Sequence, residues 1–154
     1  MKTRRQKGKR GEAEVAKLLS EWLGIKLRRA PMSGAMSGYP SDIITDSEAN
    51  LAKFPFLVEV KYQEGWDITS FIVGNDTILR NWLTQLETEQ TRLNKPIRML
   101  FFRKNRFPWF VAIPIALLSQ HVLEKLTPRV HYRNYIIIPF SVLEKFKPEE
   151  VFDV

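Results

Sequence analysis

Phe56-Leu57-Val58-Glu59-Val60-Lys61-Tyr62 is the stretch on which the fold turns. Aromatic and β-branched side chains dominate it, and it is too short for a helix, so it reads as a strand. Leu57 and Val58 are adjacent and apolar, which covers both faces and predicts a central, buried strand. Glu59 and Lys61 share one face at period two. Charges on a buried strand are costly unless they are paired or bound to metal. The plainer alternative is a surface strand whose Glu and Lys form a weak ion pair.

Upstream, Ser41 to Thr45 reads as a short strand that starts at the end of a loop from Ala30 to Ser41. That loop carries Pro31, Gly34, Gly38 and Pro40. Asp46 to Pro55 suits a hairpin turn and a strand end. Further upstream, Val15, Leu18, Leu19 and Trp22 recur at helical spacing, which predicts a helix over Arg10 to Trp22 closed by Gly24. Downstream, Phe71 to Val73 is ambiguous. A helix is predicted from Asp76 or Thr77 to Leu93, with Ile78, Leu79, Trp82, Leu86 and Leu93 toward the core. Asn94 closes it and Pro96 blocks its continuation. Ile97 to Arg103 and Trp109 to Ile113 read as paired strands around Lys104 to Pro108. Pro114 to Lys125 reads as helix with proline in its first turn. Tyr135 to Ile138 reads as a strand, and Ser141 to Phe146 as a short helix capped by Ser141. This order gives an α/β class: a mixed β-sheet flanked by helices in a single domain.

The chain has 154 residues, 44% hydrophobic and 27% charged, which suits one globular core. It has no cysteine, which removes disulfides, thiolate zinc sites and cysteine nucleophiles. His121 and His131 form neither a spaced zinc pair nor part of a serine triad. They read as a helix-surface residue and a loop residue. No Gly-rich Lys-Ser/Thr phosphate loop occurs. The net charge is +7. Lys2, Arg4, Arg5, Lys7, Lys9 and Arg10 crowd into Met1 to Arg10 with no acid among them. A basic N-terminal arm over residues 1–9, ahead of a domain over 10–154, is expected to track phosphates; solubility alone is the other reading of the charge. The arm lacks the apolar core of a signal peptide. The longest apolar run, Phe107 to Leu118, is short for a membrane span and holds two prolines. A soluble, cytoplasmic protein is expected, in the host cell if a phage encodes it.

Asp42 gives the Glu59–Lys61 strand its chemical meaning. At the start of its own strand it can meet Glu59 on the neighbouring one. Two carboxylates, water and a phosphate oxygen make a hard-oxygen site suited to Mg²⁺. Lys61 beside the same phosphate orients the attacking water and offsets developing negative charge. Asp42 also suits an ordinary turn or cap. Glu12 lies on the first helix, where a first-turn acid needs no active site, and Glu14 is its rival. Arg28 and Arg29 precede the loop that holds Ser33 and Gly34, residue types that suit phosphate contact. Gln63 continues the Glu59–Lys61 face as a water or phosphate contact or as a plain strand end. Gln85 on the second helix is a parallel case. Trp66 follows Gly65 in a loop, where it stacks on a base or packs down.

In order and spacing these residues resemble the PD-(D/E)xK nuclease superfamily, and within it the Holliday-junction resolvases of archaea and phages. The likeness runs from Lys7 to Lys61. It consists of Lys7-Gly8 with Glu12, then Arg29, Ser33-Gly34, Pro40-Ser41-Asp42-Ile43 and Val58-Glu59-Val60-Lys61. Ser41 separates Pro40 from Asp42, and the segment after Lys61 is longer and more aromatic than in the compact archaeal enzymes. The resemblance implies a restriction-endonuclease-like fold and a Mg²⁺-dependent endodeoxyribonuclease, with Mn²⁺ able to substitute. It implies that Asp42, Glu59 and the Val60 carbonyl ligate the metal, that Lys61 positions water, and that Glu12 assists at the metal or orients its ligands. It implies phosphate contacts from Arg29 and Ser33, 5′-phosphate and 3′-hydroxyl ends, and a homodimer acting on four-way or other branched DNA in recombination and repair. Arg4, Arg5, Lys7, Lys9, Arg10, Gly34, Gln63 and Trp66 complete the expected DNA contacts. Two other functions fit the sequence: a general, nicking or restriction-type nuclease of the same fold, and a non-catalytic nucleic-acid-binding domain. The latter leaves Asp42 and Glu59 as unhelpful charges beside phosphate.

Overall fold

The computed structural model describes residues 3–31, 41–45, 54–74, 76–93 and 96–153. Ser33, Gly34, most of the expected 46–55 hairpin and Asn94 lie outside them. Helix α1 spans Arg4–Leu23. Strands β1 (Leu27–Arg29) and β2 (Ile43–Thr45) pair antiparallel as a small separate sheet. Strand β3 (Phe56–Tyr62) leads through α2 (Ile68–Val73) and α3 (Thr77–Leu93) to β4 (Ile97–Arg103), its parallel neighbour. Strands β5 (Phe110–Pro114), β6 (Val130–Tyr132) and β7 (Tyr135–Pro139) add antiparallel pairs, giving the order β3-β4-β5-β7-β6. Short helices α4 (Gln120–Leu123), α5 (Phe140–Leu143) and α6 (Pro148–Val151) complete the described elements. The sheet is mixed and helices cover both faces, as the α/β reading requires.

Alternation along β3 builds two cores. Phe56, Val58, Val60 and Tyr62 face Val15, Ala16 and Leu19 of α1. Leu57 faces Leu79, Trp82, Leu83 and Leu86 of α3. The strand is therefore buried, as expected. It is not central: it ends the five-stranded sheet. Its outer edge is covered instead by the start of β2, where the Asp42 N–H donates to the Val58 carbonyl at 2.8 Å. Helix α1 approaches at Gly11, where a Cβ would stand 2.9 Å from the Cβ of Tyr62.

Several boundaries depart from the sequence reading. Helix α1 starts at Arg4 rather than Arg10, because Thr3 and Gln6 form a capping box. Residues 4–9 are thus its opening turns and not an arm. Helix α3 starts as expected, with the Asp76 carboxylate accepting from the Leu79 N–H at 2.7 Å. Ile78 lies on its exposed side rather than toward the core. Pro114 ends β5, and only a 3-10 turn (Ile115–Leu117) and α4 follow, because Leu118 is extended and bridges to Phe152. Ser141 lies inside α5, which Pro139 precedes as cap. His121 is on α4 and exposed, whereas His131 sits in β6 and not in a loop. Strands β1 and β6 and helix α6 escaped the reading, being three or four residues long with no periodicity to detect.

Candidate active site

Strand β3 carries the site on its outer edge. Two backbone bonds fix the phase of the parallel ladder: Ile97 N–H to the Pro55 carbonyl (3.2 Å) and Gln63 N–H to the Arg103 carbonyl (3.1 Å). The main-chain groups of Leu57, Glu59 and Lys61 are thereby turned toward β4, and those of Val58 and Val60 turn outward. The outward Val60 N–H donates to Asp42 Oδ2 at 2.8 Å. The Val60 carbonyl opens on the same side as that carboxylate. Asp42 is fixed further by its own backbone, whose carbonyl accepts from the Ala30 N–H at 2.8 Å.

Glu59 is buried, and its carboxyl and that of Asp42 bear on each other. Burial, and then the neighbouring Asp42 charge, push Glu59 up to about 9. Burial also raises Asp42, opposed by the Val60 N–H. Two carboxyls so placed hold one proton between them near neutral pH. The Lys61 charge lowers both acids. Asp42 lies against the outer edge of β3 at Val60, between Glu59 and Lys61 in the strand.

Glu12 faces the cluster from α1. It is buried, its pKa is raised chiefly by burial, and its Oε2 stands 2.9 Å from Arg29 Nε. Asp42 and Arg29 influence each other's surroundings as well. Glu14 points elsewhere, toward Arg10 at 3.4 Å and Arg103 at 3.6 Å. Among the described residues no three His, Cys, Asp or Glu side chains are arranged to hold a metal ion. A cation here has to draw on Asp42, Glu59, the Val60 carbonyl and water, a hard-oxygen set that fits Mg²⁺, which retains several waters. A proton shared by two buried carboxyls marks a place where a cation can take over the same charge-balancing role.

The other expected contacts are dispersed. Arg4, Arg5, Lys9 and Arg10 are exposed on α1, while Lys7 reaches Glu64 at 3.3 Å and lies over the Tyr62 ring. Gln63 extends the β3 ladder and lines a groove beside α1. Gln85 is exposed, and Glu89 is the α3 residue whose charge bears on Glu59. Sequence reasoning missed Glu89, although it lies one turn from Gln85 on the same face. Trp66 is a correction: only 2% exposed, it stacks on Phe71 at 5.4 Å and donates Nε1–H to the Gln63 carbonyl, so it packs the core and touches no base.

A buried acid pair with a lysine on one strand edge, in a mixed sheet wrapped by helices, is a nuclease-type arrangement. Residues 3–153 match the family described as "Phage putative PDDEXK endonuclease", and the chain belongs to that family. Protein D14 of Escherichia phage T5 is 35% identical over 134 residues, spanning 82% of this chain and 79% of that one. A solved structure that it resembles is Hjc, a Holliday junction resolvase from Archaeoglobus fulgidus, at 15% identity and a TM-score of 0.41, covering 88% and 90% of the two chains. Among the described residues no helix is long and apolar enough to cross a membrane.

Proposed function

We propose that this protein hydrolyses phosphodiester bonds of branched DNA, four-way junctions foremost, as a homodimer using Mg²⁺ held by Asp42, Glu59 and the Val60 carbonyl. The observation that carries the chemistry is the Asp42 carboxylate tied at 2.8 Å to the Val60 N–H, between the buried Glu59 and Lys61 on the β3 edge. The junction substrate and the dimer, which suits two symmetric cuts, are supported by the ordered motif resemblance from Lys7 to Lys61.

The Val60 N–H holds one Asp42 oxygen and leaves the other to face the site. With a divalent ion bound, the shared proton would pass from Glu59 to solvent water, so that both acids are ionised. The divalent ion supplies positive charge to the phosphoryl oxygens and the attacking water. Lys61 orients that water and offsets the charge that develops on the phosphate. Arg29, steered by Glu12, meets a neighbouring phosphate oxygen. Hydrolysis leaves 5′-phosphate and 3′-hydroxyl ends.

The test compares synthetic four-way junctions, flaps, linear duplex and single strands, each with Mg²⁺, Mn²⁺ or EDTA. Paired symmetric nicks in the junction, abolished by EDTA, are expected. Equal cutting of every DNA would leave a general nuclease, and binding without any cutting would leave a non-catalytic DNA-binding domain.

A further inference from the structure

A groove of about 740 Å³ runs between the opening turns of α1 and the turn after β3. Arg4, Lys7 and Arg10 line it from α1, and Gln63, Glu64 and Asn105 line it from the β3 side. The three cations recur every three residues, so they form one stripe rising about 9 Å along the helix. The β3 side is pinned: the Glu64 carboxylate accepts from the Asn105 N–H at 3.0 Å and from Lys7 at 3.3 Å, and Tyr62 donates to Asn105 Oδ1 at 3.0 Å.

Helix α1 and strand β3 carry both the groove and, further along, the residues around the acid pair. Helix α1 runs from Arg4 past Gly11, which packs on Tyr62, to Glu12 beside Asp42. Strand β3 runs the opposite way, from Glu59 to Tyr62 and on to Gln63. Both elements therefore lead from the site into the same recess. Arg4, Lys7 and Arg10 outnumber the Glu64 and Glu14 carboxylates that reach them, which calls for an anionic occupant. A recess of about 740 Å³ is far too small for a turn of double helix. A recess of this size takes a small molecule or about one or two nucleotides.

We propose that this groove seats an unpaired DNA strand leaving the scissile phosphate, so that a branched substrate with an unpaired stretch at the cut binds more tightly than one without. Arg4, Lys7 and Arg10 follow its phosphates. Glu64 holds Lys7 in the empty groove and is displaced when a phosphate arrives, an exchange made easy by the low strength of exposed ion pairs.

The proposal rests on the nuclease reading, but its test needs no cleavage. Binding of fluorescent hairpin duplexes, blunt or bearing a short oligothymidine tail on either end, is measured by anisotropy in EDTA. The tailed hairpin is expected to bind more tightly on one polarity. The added affinity should carry its own salt dependence, about −0.7 in log–log slope for each tail phosphate held. Arg4→Gln with Lys7→Gln removes that increment, and Glu64→Gln enlarges it by releasing Lys7; both proteins are checked for native folding by circular dichroism. Equal affinity for blunt and tailed hairpins in the native protein overturns the proposal. So does an increment that survives the double substitution or is unmoved by Glu64→Gln. A tail increment in a protein that cuts nothing would keep the groove and remove the nuclease. Cutting of junctions with no tail preference would do the reverse.

Discussion

The Asp42 carboxylate is tied to the backbone of the strand that carries Glu59: its Oδ2 lies 2.8 Å from the Val60 N–H. One acid is thus fixed by the main chain next to the other acid, and the β3 edge, which would otherwise be an unpaired ladder, becomes the wall of the site.

Asp42→Asn keeps an amide oxygen for the Val60 N–H and removes the charge. It is expected to abolish cleavage while leaving the melting temperature close to native. Lys61→Ala leaves the acid pair in place and is expected to lower kcat by about 10²–10³-fold, the usual cost of one group that stabilises transition-state charge. Single-turnover kinetics on a cleaved substrate, with melts of each variant, check both. Full activity in Lys61→Ala would remove it from the mechanism.

Stability of the metal-free protein is expected to fall as pH rises. Glu59 goes from an ordinary 4.5 to about 9 on folding, so across that window the native state binds more protons than the unfolded chain. The slope of unfolding free energy with pH is then negative, the reverse of a salt-bridged carboxylate. Melts in EDTA from pH 5 to 9 should show the decline, and Glu59→Gln should flatten it. Added Mg²⁺ competes with the shared proton, so its stabilising shift should grow with pH. A shift independent of pH would mean that the ion binds elsewhere.

Gly8 and Gly11, both inside α1, should respond to alanine with opposite signs. At Gly8 nothing lies within 4 Å of a new Cβ, so Gly8→Ala is expected to stabilise by about 0.5–1 kcal/mol. At Gly11 the new Cβ meets the rigid Cβ of Tyr62 at 2.9 Å, and overpacking of this kind costs about 1–3 kcal/mol. Because Glu12 follows directly, Gly11→Ala should also slow cleavage. Urea denaturation of the two variants gives the comparison.

Glu12 and Arg29 should behave as one unit. Arg29→Ala leaves a buried carboxylate without its partner at 2.9 Å, a loss of roughly 1–3 kcal/mol. Adding Glu12→Gln removes the stranded charge, so the double variant should recover part of that loss. A double-mutant cycle in which the two effects simply add would show that the pair is not coupled.

Much of the site was legible before any coordinates. Glu59 and Lys61 share a face because a strand alternates strictly, and FLVEVKY contains little but strand formers. Asp42 was legible as a carboxylate at the start of a strand that can neighbour Glu59, although a turn or cap residue fits the same place. The opening of α1 was equally available in Thr3 and Gln6, whose capping box the basic run obscured. Trp66 could not be placed from sequence: a tryptophan after glycine is identical on paper whether it projects into solvent or folds back on Phe71 and Phe102. Glu89 was equally hidden, since helical spacing offers a face without saying which rung meets the strand.

Local pattern determined the strand through Glu59, the order of the charged residues, the helix over Thr77–Leu93 and the mixed α/β class, because each follows from spacing along one continuous stretch. Tertiary structure alone decided that β3 ends its sheet, that the Val60 N–H meets the Asp42 carboxylate, that Arg29 pairs with Glu12, and that three α1 cations and Glu64 line one groove. Each of these joins residues far apart in the chain through backbone direction and packing, and periodicity within a segment carries no record of either.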